Sequence, residues 1–220
     1  MRECPLVLCL TNTVAANFTA NCLLAIGAKP AMVADPSEAA ELAAVADALL
    51  VNFGTVTDRQ AEAMRAAVKV TNERGIPWVL DPVGVQLLSF RRELAIELVE
   101  LKPALIRGNA DEIRVLKGSV PNLEQQSALL ETGVIDRIAD CSGIVEVSGG
   151  VPLLQAVTAT GCAQGGICAA FLGRGQSPQD AAVSASRMMK RAGELAWARA
   201  KTPGSFQLAL LDALWELSHD

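Results

Sequence analysis

What this chain has little of limits what it can be. Its one histidine, His219, stands beside the C-terminus, which leaves almost no room for a Ser-His-Asp triad or a histidine-ligated zinc site. Aromatic residues make up 4% of the chain and the formal net charge is -5, with a pI near 5.0. No basic patch interleaved with aromatics appears, so nucleic acid and anionic membrane surfaces are not expected partners. Two long stretches, 4–28 and 147–173, contain no charged residue. Each is interrupted by Asn, Thr, Gln, Gly or Pro, and neither supplies the about twenty consecutive apolar residues of a membrane span. Both read as core strands and ligand loops. No basic region followed by a clean apolar core opens the chain, so no secretory signal is expected. The cysteines (Cys4, Cys9, Cys22, Cys141, Cys162 and Cys168) form no CxxC pair; reduced thiols in a cytosolic protein are the simplest account. With no repeat, linker or low-complexity segment, the 220 residues suit one domain, 1–220, with a substantial core.

What is present centres on residues 155–166, QAVTATGCAQGG. The apolar Val151 to Leu154 leads in and Ile167 to Leu172 follows, the pattern of a strand, a tight turn and a helix N-terminus. The first N–H groups of a helix lack internal partners and sit at the positive end of its dipole, which suits a phosphate. Cys162 falls on the first turn, where that field is expected to lower its thiol pKa. A buried helix lined with small residues for close packing explains the same letters equally well.

Along the chain, short apolar runs alternate with helical ones. Strands are expected at 5–10, 30–34, 49–52, 76–80 and 104–107. Helices are expected at 17–26, from Pro36 to about Ala46 behind the Asp35 cap, from Thr57 (with Gln60 three residues on) to Gly75, at 89–101, and from Asn109 to about Gly118. This alternation predicts an α/β fold with a mainly parallel sheet covered on both faces. Ligands gather at the C-terminal strand ends of such sheets, and Asn12, Gly54, Asp81 and Arg107 fall there on four different strands. Further on, Asn122 to Glu131 reads as a short helix with Asn122 and Gln125 as capping pair and Gly133 as its stop. Ile144 to Val147 reads as an edge strand, Gly149-Gly150 as a turn, and Ser177 opens a helix to about Ala200. Ser205 is expected to cap a last helix, 206–217.

Phosphoryl transfer needs carboxylates to hold Mg²⁺, a cation to neutralise phosphate, and N–H groups around the transferred group. Asp81, Glu112, Arg107 and Asn109 supply these on adjacent loops. Two structural readings stand beside that one. Asn109 to Glu112 is also an ordinary capping box, and Asp81-Pro82 could be only a turn.

The motifs LTN (10–12), TANCLLAIGAKPAMV (19–33), NFGT (52–55), PWVLDPVG (77–84), ALIRGNADEI (104–113), TATGC (158–162), PGSF (203–206) and LDALWEL (211–217) occur in order over most of the chain. Together they resemble the hydroxyethylthiazole kinase family. That resemblance implies a three-layer α/β/α ribokinase-like fold and phosphorylation of the alcohol of 4-methyl-5-(2-hydroxyethyl)thiazole by ATP with Mg²⁺, a cytoplasmic salvage step towards thiamine. It implies metal and phosphate organisation by Asp81 and Glu112, and ATP or phosphate contacts from Arg107, Asn109, Thr132, Thr160 and Gly161. Cys162 would lie where the substrate hydroxyl meets the γ-phosphoryl, and Asn12, Met32, Gly54 and Ala159 would form the thiazole site. Met32 taken alone reads as core packing. A homotrimer with sites at subunit interfaces is also implied.

The sequence departs from the family pattern in three places. Ala159 stands where TGTGC has glycine, and the family's usual N-terminal helix is not seen. Between Glu112 and ETGVID (131–136), roughly twenty residues are absent, about one crossover unit. What remains barely allows a helix and leaves little for a buried strand. Thr132 is then either a nucleotide contact at a strand end or the C-cap of a helix. The shortening favours a catalytically impaired homologue that binds thiazole or only assembles. A kinase of another small heterocyclic alcohol is the other alternative, against which LTN and the cysteine of TATGC argue.

Overall fold

The expected alternation of strands and helices is present in the computed structural model, which describes residues 3–219. Strand β1 (Leu6–Leu10) is followed by α1 (Ala16–Ala25), β2 (Lys29–Met32), α2 (Pro36–Ala43), β3 (Ala48–Asn52), α3 (Asp58–Arg74) and β4 (Trp78–Asp81). Then come α4 (Ser89–Val99), β5 (Leu105–Asn109), α5 (Ala110–Ser119), α6 (Leu123–Gln126), β6 (Ala128–Thr132), β7 (Asp136–Asp140) and β8 (Gly143–Val147). A 3-10 turn (Pro152–Gln155) precedes α7 (Thr160–Gly173), α8 (Pro178–Arg199) and α9 (Pro203–His219). All eight strands lie in one sheet of order β2-β1-β3-β4-β5-β6-β7-β8. The first six are parallel; β7 pairs antiparallel with β6, and β8 antiparallel with β7.

Side chains alternate across a strand, and these strands are apolar at successive positions, so both faces must be covered. Val7, Cys9, Leu50, Val79 and Leu105 pack on one side with α1, α7, α8 and α9. Leu8, Leu10, Leu49, Val51 and Leu80 pack on the other with residues of α2, α3, α4 and α5. Helix α7 is buried from Ala163 to Leu172, as expected of a helix apolar all round. Its glycines set how near it comes: a Cβ on Gly165 would lie 3.1 Å from Leu50 Cδ1 and 3.5 Å from Asp81 Oδ2. Full burial of a side chain such as Leu50 stabilises by about 1.5–3 kcal/mol.

Local signals set several boundaries as read. Thr57 and Gln60 form a reciprocal capping box, and Gly75 ends α3 in the left-handed region at φ 66°. Elsewhere the structure corrects the sequence reading. The helix expected at 122–131 is only the single turn α6, with Asn122 left-handed and making no side-chain cap. The remainder is β6, whose residues pair in parallel with β5 from Leu105↔Ala128 to Asn109↔Thr132. The buried strand, for which the shortened segment leaves little room by length alone, is therefore present; Ala128, Leu129 and Leu130 have nowhere to hide their side chains except the sheet. Strand β7 was not anticipated at all. Val151 to Leu154 is not a strand but passes into the 3-10 turn, because Pro152 lacks the N–H a ladder needs. Ser205 does not cap the last helix, which already starts at Pro203; its hydroxyl meets Thr202 Oγ1 at 2.9 Å.

Candidate active site

The C-terminal ends of β1, β3, β4, β5 and β6 face the N-terminus of α7, and a chain of polar side chains crosses them. Asn12 Nδ2 donates to Asn52 Oδ1 at 2.7 Å and approaches Cys162 Sγ at 3.4 Å. Asn52 Nδ2 donates to Asp81 Oδ2 at 2.5 Å. Arg107 Nη1 reaches Asp81 Oδ1 at 3.4 Å, and its Nη2 donates to Thr132 Oγ1 at 3.1 Å. Residues far apart in the chain thus become one hydrogen-bonded row, because parallel strands end on the same edge.

Each member is fixed from outside the row. Asn12 Oδ1 accepts from Ala15 N at 2.8 Å and so shapes the entry to α1. A Cβ on Gly54 would come 2.3 Å from Asn12 Nδ2, so glycine is the residue that fits against Asn12. Gly54 N donates to Asn52 Oδ1 at 3.0 Å, while its carbonyl accepts from Arg91 Nη2 at 2.6 Å. Thr132 also donates to Gly108 O at 3.2 Å. It is a strand-end residue rather than a helix C-cap, because β6 holds it beside Asn109. Asn52 was missed as a site residue; its signal is a polar side chain closing an otherwise apolar strand, as with Asn12.

Glu112 serves two roles. The capping box with Asn109 is real, Asn109 Oδ1 accepting from Glu112 N at 3.0 Å and Glu112 Oε2 from Asn109 N at 2.9 Å. Its other oxygen, Oε1, accepts from Gly84 N at 2.9 Å, which ties the loop after Asp81 to α5. Asp81 is fully buried. Burial pushes its carboxyl up to about 6; Arg107 pulls it down, Glu112 adds to the rise and Asn52 opposes it.

Cys162 does lie on the first turn of α7, but the expected lowering of its thiol pKa does not occur. Burial pushes the thiol up to about 11, Asp81 adds to the rise, and Arg107 and the hydrogen bonds from Asn52 and Asn12 only partly offset them. Loss of hydration and a nearby carboxylate thus favour the neutral thiol at pH 7.

A cavity of about 290 Å³ opens beside Arg107. It is lined by Arg107, Asn109, Thr132, Thr160, Gly161 and Gln164, with Gly133, Asp136, Leu154, Gln155, Met189 and Lys190 completing the wall. A Cβ on Gly161 would fall 2.5 Å from Arg107 Nη2, so glycine lets the guanidinium lie against the helix end. The Thr160 hydroxyl is turned inward to Leu154 O at 2.8 Å, leaving its backbone N–H as its contribution. A cation and a helix N-terminus on one wall suit a phosphate chain. Met32 lies apart from the core, 36% exposed at the end of β2, so it is not simply core packing.

Ala159, the residue before α7, sits at φ 70°, a region that favours glycine. Ala159→Gly is therefore expected to stabilise the fold by about 0.5–1 kcal/mol, the relief of strain less the added freedom of the unfolded chain. Thermal denaturation would show it as a rise of about 1–4 °C; a lower melting temperature would mean that Ala159 packs well enough to outweigh its backbone.

The sheet order, with its parallel strands ending beneath the N-terminus of α7, is that of a ribokinase-like α/β fold. A ribokinase-like superfamily protein from Enterococcus faecalis superimposes with a TM-score of 0.58 over 98% of this chain and 88% of its own, at 14% identity, a likeness of fold alone. The chain belongs to the hydroxyethylthiazole kinase family, whose profile matches residues 1–125 and 122–220. Hydroxyethylthiazole kinase of Escherichia coli K12 is 43% identical over 237 aligned positions, covering 98% of this chain and 90% of its own. The hydroxyethylthiazole kinase structure from Pyrococcus horikoshii OT3 superimposes with a TM-score of 0.91 at 35% identity, covering 96% of this chain and 88% of that one. The two profile matches meet at α6, where the chain is short. Among the described residues, no helix is long and apolar enough to cross a membrane.

Proposed function

We propose that this phosphotransferase, a single domain working in the cytoplasm, transfers the γ-phosphoryl group of ATP to the alcohol of 4-methyl-5-(2-hydroxyethyl)thiazole, the salvage step towards thiamine. The observation that carries the reading is the row Cys162–Asn12–Asn52–Asp81–Arg107–Thr132 lying across the strand ends beneath α7. Arg107, Asn109, Thr132 and the N–H groups of Thr160 and Gly161 would receive the ATP phosphates. Asn12, Met32, Gly54 and Ala159 would bound the thiazole, with Cys162 where alcohol and phosphoryl group meet.

Asp81 and Glu112 are the residues that would hold Mg²⁺, which supplies charge neutralisation between the phosphates. The donor set fits, being hard carboxylate oxygens at the end of β4 and in the first turn of α5, and Mg²⁺ commonly takes one or two carboxylates with phosphate and water. Each carboxylate already accepts from protein donors, but retains further lone pairs. The open Met32 side and the exposed Val14 beyond β1 support a homotrimer that completes the thiazole site at its interfaces. A monomeric mass by light scattering at micromolar concentration would count against it. Retention of β6, with Thr132 beside Asn109, removes the main reason to read the shortened chain as catalytically silent.

A coupled ADP-release assay with Mg-ATP and the thiazole alcohol tests the reaction directly, and the Cys162 variants test its centre. Since a neutral thiol is a poor base, Cys162→Asp is expected to match or exceed the parent, Cys162→Ser to be weaker, and Cys162→Ala to lose about 10–100-fold in kcat. Alkylation of Cys162 should be slow at pH 7.5, accelerate steadily towards pH 11, and be slowed by the thiazole alcohol. Full activity in the alanine variant, with alkylation indifferent to the alcohol, would make this cysteine a packing residue only.

A further inference from the structure

Lys190, midway along α8, is buried to 7% exposure, and Asp136, at the start of β7, to 3%. Lys190 Nζ donates to the carbonyls of Gly133 at 3.2 Å, Val134 at 3.0 Å and Gly149 at 3.3 Å, and lies 3.3 Å from Asp136 Oδ1. An ammonium has three N–H groups, so these four oxygens saturate it and no proton is left over for a ligand. Lys190 therefore lines the cavity beside Arg107 without being equipped to bind phosphate there. Asp136 is as fully engaged: Gly133 N donates to Oδ1 at 3.0 Å and Gln164 Nε2 to Oδ2 at 3.3 Å.

The carbonyls come from two separate segments. Gly133 and Val134 form the turn between β6 and β7, directly after Thr132. Gly149 begins the connection from β8 to the 3-10 turn that carries Leu154 and Gln155. Gly133 lines the cavity beside Arg107, as do Leu154 and Gln155 at the far end of the Gly149 connection; Val134 and Gly149 line a neighbouring cavity that shares Gly133, Leu154, Gln155 and Lys190 with it. One helical turn on from Lys190, Glu194 Oε1 accepts from Gly150 N at 3.1 Å. Gly150 has φ 81°, and a Cβ there would meet Lys190 Cγ at 3.2 Å, so the loop lies against the lysine stem.

We propose that Lys190 is a positioning residue for the nucleotide, a buried cation that ties the 133–134 turn to the Gly149 loop and so fixes two lining segments of the cavity beside Arg107, Thr132–Gly133 and the 3-10 turn, relative to each other. The inference rests on the reading that this cavity takes ATP. Loss of the cation should let the two walls part, moving Thr132 away from Arg107 without disturbing the thiazole side at Asn12 and Cys162. It should also strand Asp136 as an unpaired buried carboxylate, a cost to stability that is separable from the cost to binding.

ADP titration calorimetry, KM values and melting temperatures for the parent, Lys190→Met and Lys190→Met/Asp136→Asn separate these effects. In Lys190→Met the ADP Kd and the KM for ATP should rise at least tenfold while the KM for the thiazole alcohol stays within twofold. The double variant, with no buried charge left, should regain most of the lost melting temperature but none of the lost ADP affinity, and it keeps the test sound if the single variant folds poorly. Affinity recovering together with melting temperature, or both KM values rising in parallel, would show a merely structural lysine and overturn the proposal. Failure of the parent to bind ADP would overturn the cavity assignment itself, and the proposal with it.

Discussion

Asp81→Asn should lower kcat by on the order of 10²–10³-fold, the usual cost of deleting one preorganised electrostatic group, while leaving the protein folded. The amide is isosteric and removes the charge; its single oxygen can accept from Asn52 or from Arg107, while its NH2 faces the other donor. Its effect on stability should have a definite pH dependence. Burial raises the Asp81 carboxyl to about 6 in the folded chain, against about 3.9 unfolded. A raised carboxyl contributes stability that is fully present below the unfolded pKa and is lost as pH rises through the folded one. The parent should therefore lose stability relative to Asp81→Asn between about pH 4 and 6. Melting temperatures of the two proteins, compared from pH 4 to 7.5, should diverge in favour of the variant by several degrees. Parallel curves, or a variant with activity within a few-fold of the parent, would remove Asp81 from the metal and phosphate assignment.

Arg107→Gln should be damaging in two ways at once. The nucleotide phosphates would lose their nearest cation, so kcat/KM for ATP should fall by about 10²–10³-fold. Asp81 would also be left buried without its ion pair, and breaking such a pair costs about 3 kcal/mol, or on the order of 10 °C in a protein of this size. The stability loss should be largest above pH 6 and small near pH 4, where Asp81 is protonated. Arg107→Lys should rescue little of the activity, because an ammonium cannot reach Asp81 and Thr132 in two directions as the guanidinium fork does. An Arg107→Lys enzyme with parental kcat/KM would show that only the charge matters.

The polar residues at strand ends were legible because each interrupts an apolar run at the place where parallel sheets bind ligands. Asn12, Asp81 and Arg107 announce themselves in this way, and Asn52 does too once Asn12 is seen to need a partner. The 122–131 segment was misread because Leu123, Glu124, Gln125, Gln126 and Leu129 satisfy helical spacing as well as strand spacing. Over so short a window, local pattern does not separate the two. What decided it was the vacant edge of β5, whose backbone groups take Ala128–Thr132 as the next strand.

Cys162 shows the same division. Its place on the first turn of α7 followed from the letters TATGC and the helix behind them. Its protonation state did not, since the helix field acts locally while burial and the Asp81 charge come from elements far away in sequence. Lys190 was invisible as more than one cation on an amphipathic helix, because its acceptors at 133, 134 and 149 converge only when the β7–β8 hairpin folds back. By itself the sequence determined the alternation of strands and helices, the family, and which residues end the strands, all of which rest on short-range periodicity and motif. Tertiary structure alone decided which side chains touch, how charged they are and what clamps the cavity, because desolvation and ion pairing depend on distances that no local pattern encodes.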